Sequence, residues 1–367
     1  MLVLLNGLQA GNRSGTGRYT IELARWLPEL AHNLDFAILW PKDVPHPQRR
    51  RDAFLLRRVG GPFRRIYLDQ IALRAEQKRL RANIVHYPAN IGNLGDIHNQ
   101  VITVHDLSFL HNPRWFRFGR ARYYSYAVRP GLRQAKRVIV DSEATKADVC
   151  EWAGAPQDGV DVIPLGVGED LQPAPDETQA RIRAKYNLPK SFFLFLGTIE
   201  PRKNILRLVQ AWSQIAEGCP YDLVVAGRAG WKTRPILRAM AQAPHARRIH
   251  GLGFVDEADL PALLSSATVF VWPSLCEGFG LPPLEAMACG TPVLTANASS
   301  LPETVGDAAL QVDPTDVDAI AHGMQRLAND ANLRAALVAK GLERAATFTW
   351  RRTAERTIET YYKVLNL

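Results

Sequence analysis

A chain of 367 residues with 47% apolar side chains and a mean hydropathy near zero is long enough for two ordinary domains and reads as a soluble globular protein. No apolar run approaches the roughly 18 residues of a membrane span, and Met1–Leu5 stops at Asn6-Gly7 without a basic leader or cleavage site, so it reads as a first strand and not a signal peptide. The net charge of +9 lies wholly in the first half, since residues 1–165 hold 24 Lys and Arg against 15 Asp and Glu, and residues 166–367 hold 21 of each.

After the first strand, the stretch Gly11–Gly17 reads as a glycine-rich turn, and a helix follows with Tyr19, Leu23, Trp26, Leu27 and Leu30 at helical spacing. Asp35–Trp40 reads as a second strand. From Arg49 to Arg81 arginines are dense: Arg49-Arg50-Arg51, Arg57-Arg58, Arg64-Arg65, then Arg74, Lys78, Arg79 and Arg81, with Leu55, Leu56, Phe63, Ile66, Tyr67, Leu68, Ile71 and Leu73 among them. Such a surface suits anionic lipid headgroups, or nucleic acid, or is a solvated helix face. Ile84–Tyr87, Val101–Val104 and Arg137–Val140 are short β-branched strands. Strands alternating with helices point to a doubly wound parallel sheet, whose ligands gather beyond the strands' carboxyl ends.

The segment Ile163–Gly168 with Pro173 and Pro175 reads as a boundary, after which the pattern restarts. Ser191–Leu196, Tyr221–Ala226, Ile249–Phe254, the Val269 strand and Pro292–Thr295 are strands, Ile205–Ala216 is a helix, and Val317–Leu367 is helical in pattern. The four cysteines, Cys150, Cys219, Cys276 and Cys289, form no CxxC pair, so reduced cytosolic thiols are expected and a metal site is not.

The most informative stretch is Cys276-Glu277-Gly278-Phe279-Gly280-Leu281-Pro282-Pro283-Leu284-Glu285. A buried strand, Ala267–Pro273, leads into a glycine turn, and Pro282 and Pro283 open a short helix that Gly290 ends. Free amides and the positive dipole end at that point suit a phosphate. Glu277 and Glu285 bracket it, too far apart to ligate a metal on one helical face. Glu200-Pro201-Arg202-Lys203-Asn204 lies between a strand and a helix, where two cations are unfavourable unless an anion is present. His105 and Asp106 end a strand; His105 is either a ligand-facing histidine or one satisfied by nearby backbone, and Asp106 can cap the next segment. Gly15-Thr16-Gly17 matches only part of a dinucleotide fingerprint, because Tyr19-Thr20 fill the place of a third glycine.

Glu277–Glu285 resembles the E-x7-E motif of retaining GT-B glycosyltransferases of family 4, and Gly197–Asn204, Gly251–Asp256, Ser142–Lys146 and Leu301–Gly306 are similar to segments of the same family. The resemblance spans nearly the whole chain and is loosest over residues 42–82. It implies a GT-B fold: two Rossmann-like, doubly wound α/β domains facing across a cleft, residues 1–165 on the acceptor side and 166–349 binding the nucleotide sugar. The last helix, about 350–367, would pack back on the first domain through Tyr361, Tyr362, Val364 and Leu365. It implies that Glu277 meets the donor sugar and Glu285 the ribose, that Arg202 and Lys203 with the amides near Phe279, Gly280 and Leu281 take the diphosphate, that main chain near Phe254 and Val255 reads the base, that Gly15, Thr16 and Gly17 pack under the diphosphate and acceptor, and that His105 orients the sugar.

The activity so implied is metal-independent, retaining hexosyl transfer without a cofactor. The segments are most similar to bacterial mannosyltransferases of surface-polysaccharide synthesis. That makes GDP-mannose the first choice of donor, with UDP-glucose and other UDP-hexoses open, and a saccharide or lipid-linked saccharide the acceptor. The expected location is cytoplasmic, peripheral on the inner face of the plasma membrane, with no nucleic-acid partner. A GT-B epimerase or phosphorylase and a non-enzymatic basic binding protein are the rival readings.

Overall fold

The computed structural model describes all residues except 13, 14, 47–52, 96, 117 and 118, and leaves the side chains of residues 53, 62, 63 and 120 undescribed. The chain forms two compact units. One contains Met1–Leu110, Gly119–Gly166 and Thr349–Leu367; the other contains His111–Phe118 and Val167–Phe348.

The first unit is built on strands β1 (Leu2–Asn6), β2 (Asp35–Pro41), β3 (Ala53–Arg57), β4 (Ile84–Tyr87), β5 (Gln100–Val104), β6 (Arg137–Val140) and β7 (Val160–Val162). They pair in parallel in the order β3-β2-β1-β4-β5-β6-β7. β1 and β4–β6 are runs of buried residues, as parallel strands covered on both faces must be. Helix Gly15–Leu30 buries Tyr19, Leu23, Trp26 and Leu27, the face expected from their spacing. Two strands escaped the sequence reading: β3, inside the arginine-rich stretch, and β7, only three residues long.

Helix Trp350–Leu365 belongs to this unit and buries Tyr361 and Val364, while Tyr362 and Leu365 are half-buried. It is anchored by polar groups as well as apolar ones. Tyr361 Oη lies 2.7 Å from His86 Nδ1, His86 Nε2 lies 2.8 Å from Thr103 Oγ1, and Thr103 Oγ1 lies 3.0 Å from Tyr19 Oη. All four side chains are buried. Burial, with the nearby His105 adding to it, drives the pKa of His86 down to about 3, so the ring is neutral.

The second unit repeats the plan with β8 (Phe192–Leu196), β9 (Asp222–Ala226), β10 (Ile249–Gly253), β11 (Val269–Trp272), β12 (Val293–Ala296) and β13 (Ala309–Val312), all parallel, in the order β10-β9-β8-β11-β12-β13. β13 was not expected; its sequence, Ala-Leu-Gln-Val, carries little strand signal, and it is set by pairing with β12. In each sheet the order reverses beside the first strand, between β1 and β4 and between β8 and β11. Loops leaving the carboxyl ends of those strands diverge there and open a crevice.

Candidate active site

In the second unit the loops after β8 and β11 carry the two motifs singled out from the sequence. They are stitched together: the Leu275 amide donates to the Arg202 carbonyl at 2.9 Å, and Asn204, in the left-handed region at φ 62°, donates from Nδ2 to the carbonyls of Pro273 and Pro314. Arg202, Lys203 and Glu277 therefore converge. Lys203 Nζ donates to Glu277 Oε1 at 2.7 Å, and Arg202 Nη1 donates to Glu277 Oε2 at 2.8 Å and to the Cys276 carbonyl at 2.7 Å. Arg202 Nη2 is 3.1 Å from Glu200. Lys203 also lies over the Trp272 ring, 4.6 Å from its centroid, and that ring stacks on Phe195.

This is a group of two cations and two carboxylates in which Lys203, Glu200 and Glu277 are buried and Arg202 is partly so. Burial alone would raise the Glu277 pKa, but Arg202 and Lys203 outweigh it and hold the carboxyl at about 2. Burial and the adjacent Arg202 push Lys203 below the ordinary lysine range. An ionised carboxylate whose two oxygens already accept from cations is a poor proton acceptor and a good fixed negative charge.

Helix Leu281–Ala288 follows at once, with Gly280 at φ 116° as its N-cap. Its first turn carries fewer donors than a helix start usually does, because Pro282 and Pro283 at the second and third positions have no N–H. The amides near Phe279–Leu281 thus come from the turn more than from the helix. Phe279 points its ring into the core, edge-on to Phe348 at 5.6 Å. Leu281 and Glu285 are buried too, and Val255 lies just beyond the edge strand β10, with the Phe254 side chain exposed beside it.

In the first unit, His105 follows β5 and Asp141 follows β6. His105 Nδ1 donates to Asp141 Oδ2 at 2.7 Å, and Nε2 lies 3.2 Å from the Pro88 carbonyl after β4. Burial opposes charging this ring, but Asp141 and the Pro88 carbonyl prevail and its pKa is raised. Both ring nitrogens face acceptors, so backbone and carboxylate satisfy the histidine. Asp106 accepts from the Ser108 amide and hydroxyl and caps the short helix there. Gly15, Thr16 and Gly17 form the first turn of helix Gly15–Leu30, not a loop. A side chain at Gly17 would strike the Asn12 carbonyl, whereas one at Gly15 meets nothing within 4 Å among the described residues. Tyr19, one turn on, packs edge-on against His105 at 4.9 Å.

Residues 178–344 match the family profile "Glycosyl transferases group 1", and residues 13–171 match "Glycosyltransferase Family 4". The O-antigen chain mannosyltransferase B of Escherichia coli is 32% identical over 369 residues, 95% of this chain and 96% of that protein. The chain belongs to glycosyltransferase family 4. It also resembles serotype-specific mannosyltransferase WbdA of Escherichia coli, 36% identical over 245 residues, which are 64% of this chain but 29% of that longer protein. Among solved structures, sucrose-phosphate synthase from Thermosynechococcus elongatus superposes with a TM-score of 0.77 over 100% of this chain and 99% of that one, at 23% identity. That likeness speaks for the GT-B fold alone.

The two loops singled out from the sequence lie together here, but their sequences do not tell how their charges pair. The expectation from sequence sets Arg202 and Lys203 against an anionic ligand and Glu277 against a sugar, whereas here the cations hold Glu277 itself. The expectation of a metal-independent reaction also leans on there being no Asp-x-Asp triplet, which is wrong: Asp316-Val317-Asp318 is one. Asp316 caps the helix Val317–Asn329, its side chain accepting from the Asp318 and Ala319 amides. Ser299, Ser300 and Thr304 tie down the Glu277–Gly280 turn; of the three only Thr304 lies in a segment singled out from the sequence, Leu301–Gly306, and none is assigned a role there. The available signal is the Ser299-Ser300 pair alone, since 21 to 25 residues separate these hydroxyls from the turn residues they hold. Asp141 gave none, since its partner His105 lies 36 residues away.

Proposed function

We propose that this transferase moves a hexose, with mannose from GDP-mannose the first choice, onto a hydroxyl of a saccharide or lipid-linked saccharide, with retention at the anomeric carbon and without a metal ion. The observation that carries the reading is the Arg202–Lys203–Glu277 group at the β8/β11 crevice, against the turn that opens helix Leu281–Ala288. The sugar preference draws support from the mannosyltransferase relative that aligns along 95% of the chain.

In the proposed reaction the bond between the anomeric carbon and the β-phosphate oxygen breaks, and the acceptor oxygen bonds to the same face of that carbon. The acceptor proton passes to the departing phosphate. Charge growing on the leaving group is met by Arg202, Lys203 and the amides near Phe279–Leu281. Glu277, held ionised, accepts hydrogen bonds from the donor sugar and steadies positive charge at its reacting carbon. Its pKa of about 2 suits that role and not proton abstraction. Glu285 would accept from the ribose.

A membrane-facing acceptor would suit the first unit. Ile66, Tyr67 and Ile71 are exposed there, with Arg64, Lys78, Arg79 and Arg81 exposed nearby. Arg65 does not share that role: it donates to Asp69 at 2.8 Å and to the Leu8 carbonyl at 2.6 Å, and so braces the fold. Arg49, Arg50 and Arg51 lie outside the described residues. Among the described residues no helix is long and apolar enough to cross a membrane.

The test is transfer of label from GDP-mannose, UDP-glucose and other nucleotide hexoses to extracted lipid-linked saccharide, with chelator present and the product's anomeric configuration read by NMR. An inverted product or a chelator-sensitive rate refutes the mechanism. Transfer from a UDP-hexose alone refutes the donor, and donor isomerisation without transfer refutes the reaction class.

A further inference from the structure

Three hydroxyls hold the Glu277–Gly280 turn from one side. The Phe279 carbonyl accepts from Thr304 Oγ1 at 2.6 Å and from Ser300 Oγ at 2.8 Å, and Ser300 Oγ is also 3.0 Å from the Glu277 carbonyl. The Glu277 amide donates to Ser299 Oγ at 2.9 Å, and Ser299 sits in the left-handed region at φ 51°, a strained conformation for serine. Ser300 and Thr304 are buried, at 0% and 1% exposure, so water does not replace them.

In a planar trans peptide the carbonyl of one residue and the amide of the next point in opposite directions. Drawing the Phe279 carbonyl toward Ser300 and Thr304 therefore turns the Gly280 amide the other way. Gly280 meets this demand at φ 116°, and a side chain there would also lie 2.8 Å from Leu301 Cδ2. Because Pro282 and Pro283 carry no N–H, the orientation of the turn peptides decides how many donors this end of the helix presents.

We propose that Ser300 and Thr304 are positioning residues for the donor diphosphate: by clamping the Phe279 carbonyl from behind, they aim the Gly280 amide at it. The inference rests on the reading that a nucleoside diphosphate binds at this turn. Without the hydroxyls the peptide between Phe279 and Gly280 is free to rotate, and a rotated peptide puts a carbonyl oxygen where an anion needs a donor.

The experiment is titration calorimetry of the intact chain and its Thr304→Val, Thr304→Ser and Ser300→Ala variants with GDP, UDP, ADP and CDP, and with the matching nucleosides. Thr304→Val, which keeps shape and loses the hydroxyl, is expected to weaken the preferred nucleoside diphosphate about tenfold. Thr304→Ser should restore it, Ser300→Ala should weaken it similarly, and nucleoside affinity should stay constant throughout. Diphosphate affinity within twofold of wild type in both Thr304→Val and Ser300→Ala overturns the inference. So does equal loss of nucleoside and diphosphate, the mark of a merely structural role. A wild-type chain that binds none of the four diphosphates removes the donor reading and this inference with it; wild-type binding with both deletions silent removes the inference alone.

Discussion

Replacing Glu277 by Gln takes one negative charge from a largely buried group of four and leaves Arg202 and Lys203 facing a neutral amide. At an effective dielectric of about 20, each contact near 2.7 Å is worth roughly 6 kcal/mol of Coulomb attraction before burial is counted. Burial cancels much of that. The lowering of the Glu277 carboxyl pKa from 4.5 to about 2 corresponds to a surviving preference for the ionised form of about 3 kcal/mol. Glutamine still accepts a hydrogen bond, so Glu277→Gln should destabilise the protein by about 2–3 kcal/mol at pH 7, read from urea unfolding followed by circular dichroism. The sign with pH follows from the folded pKa being the lower one. The stabilisation is complete above the unfolded value and is lost as pH falls through the folded one, so the gap between wild type and variant should narrow to about 1 kcal/mol at pH 3. Binding should move the other way: with the competing carboxylate neutral, Arg202 and Lys203 are freer to meet a diphosphate, and GDP should bind no more weakly, and up to severalfold more tightly, while transfer falls by at least about 100-fold. A variant as stable as wild type at pH 7, or one with a gap that does not narrow in acid, refutes the account of the charge group. Weaker GDP binding in the variant refutes the competition between carboxylate and phosphate.

Lys203→Ala should lower turnover far more than donor affinity, and Glu285→Ala should do the reverse; steady-state kinetics showing equal, small changes in both variants would count against these roles. The neutral His86 takes up no proton until about pH 3 when folded, so its contribution is intact above about pH 6.5 and should fall by about 2 kcal/mol at pH 5; His86→Gln should flatten that part of the stability profile, and an unchanged slope would show that the ring is not held neutral. Gly17→Ala should destabilise the first unit by about 2 kcal/mol or more, since the added carbon meets the Asn12 carbonyl, whereas Gly15→Ala should cost little; comparable melting temperatures for the two variants would contradict the local packing. Charge reversal at Arg64, Lys78, Arg79 and Arg81 should weaken salt-sensitive binding to anionic vesicles, and wild-type protein that ignores such vesicles at low salt would end that proposal.

Most of the two sheets was legible because parallel strands buried on both faces must be continuous apolar runs, and runs such as Phe192–Leu196 and Val269–Trp272 have few other uses. The strands that were missed are those whose side chains do not need that pattern. In β3, Leu56 is exposed and Arg57 pairs with Glu76 at 2.6 Å, so its composition reads as a charged surface. The ends of β13 are set by its neighbour β12, and a sequence window cannot see a neighbour.

The same distinction separates what could and could not be read at the site. A loop that leaves the carboxyl end of a strand at a switch in strand order is where ligand chemistry collects, and both the Arg202–Lys203 loop and the Glu277 turn are recognisable from local sequence because they punctuate strand and helix. Which charges meet depends on two loops 74 residues apart closing on each other. Local reasoning therefore assigns the cations to an anionic ligand and cannot see that Glu277 is close enough to take both. The two assignments are compatible if Glu277 serves first as the counter-ion that keeps Arg202 and Lys203 ordered in a buried crevice. An incoming diphosphate then competes for cations already in position, so less side-chain freedom is lost on binding. On that view the carboxylate displaced toward the sugar is the same one that organised the phosphate site, and the two functions of Glu277 are consecutive uses of a single charge.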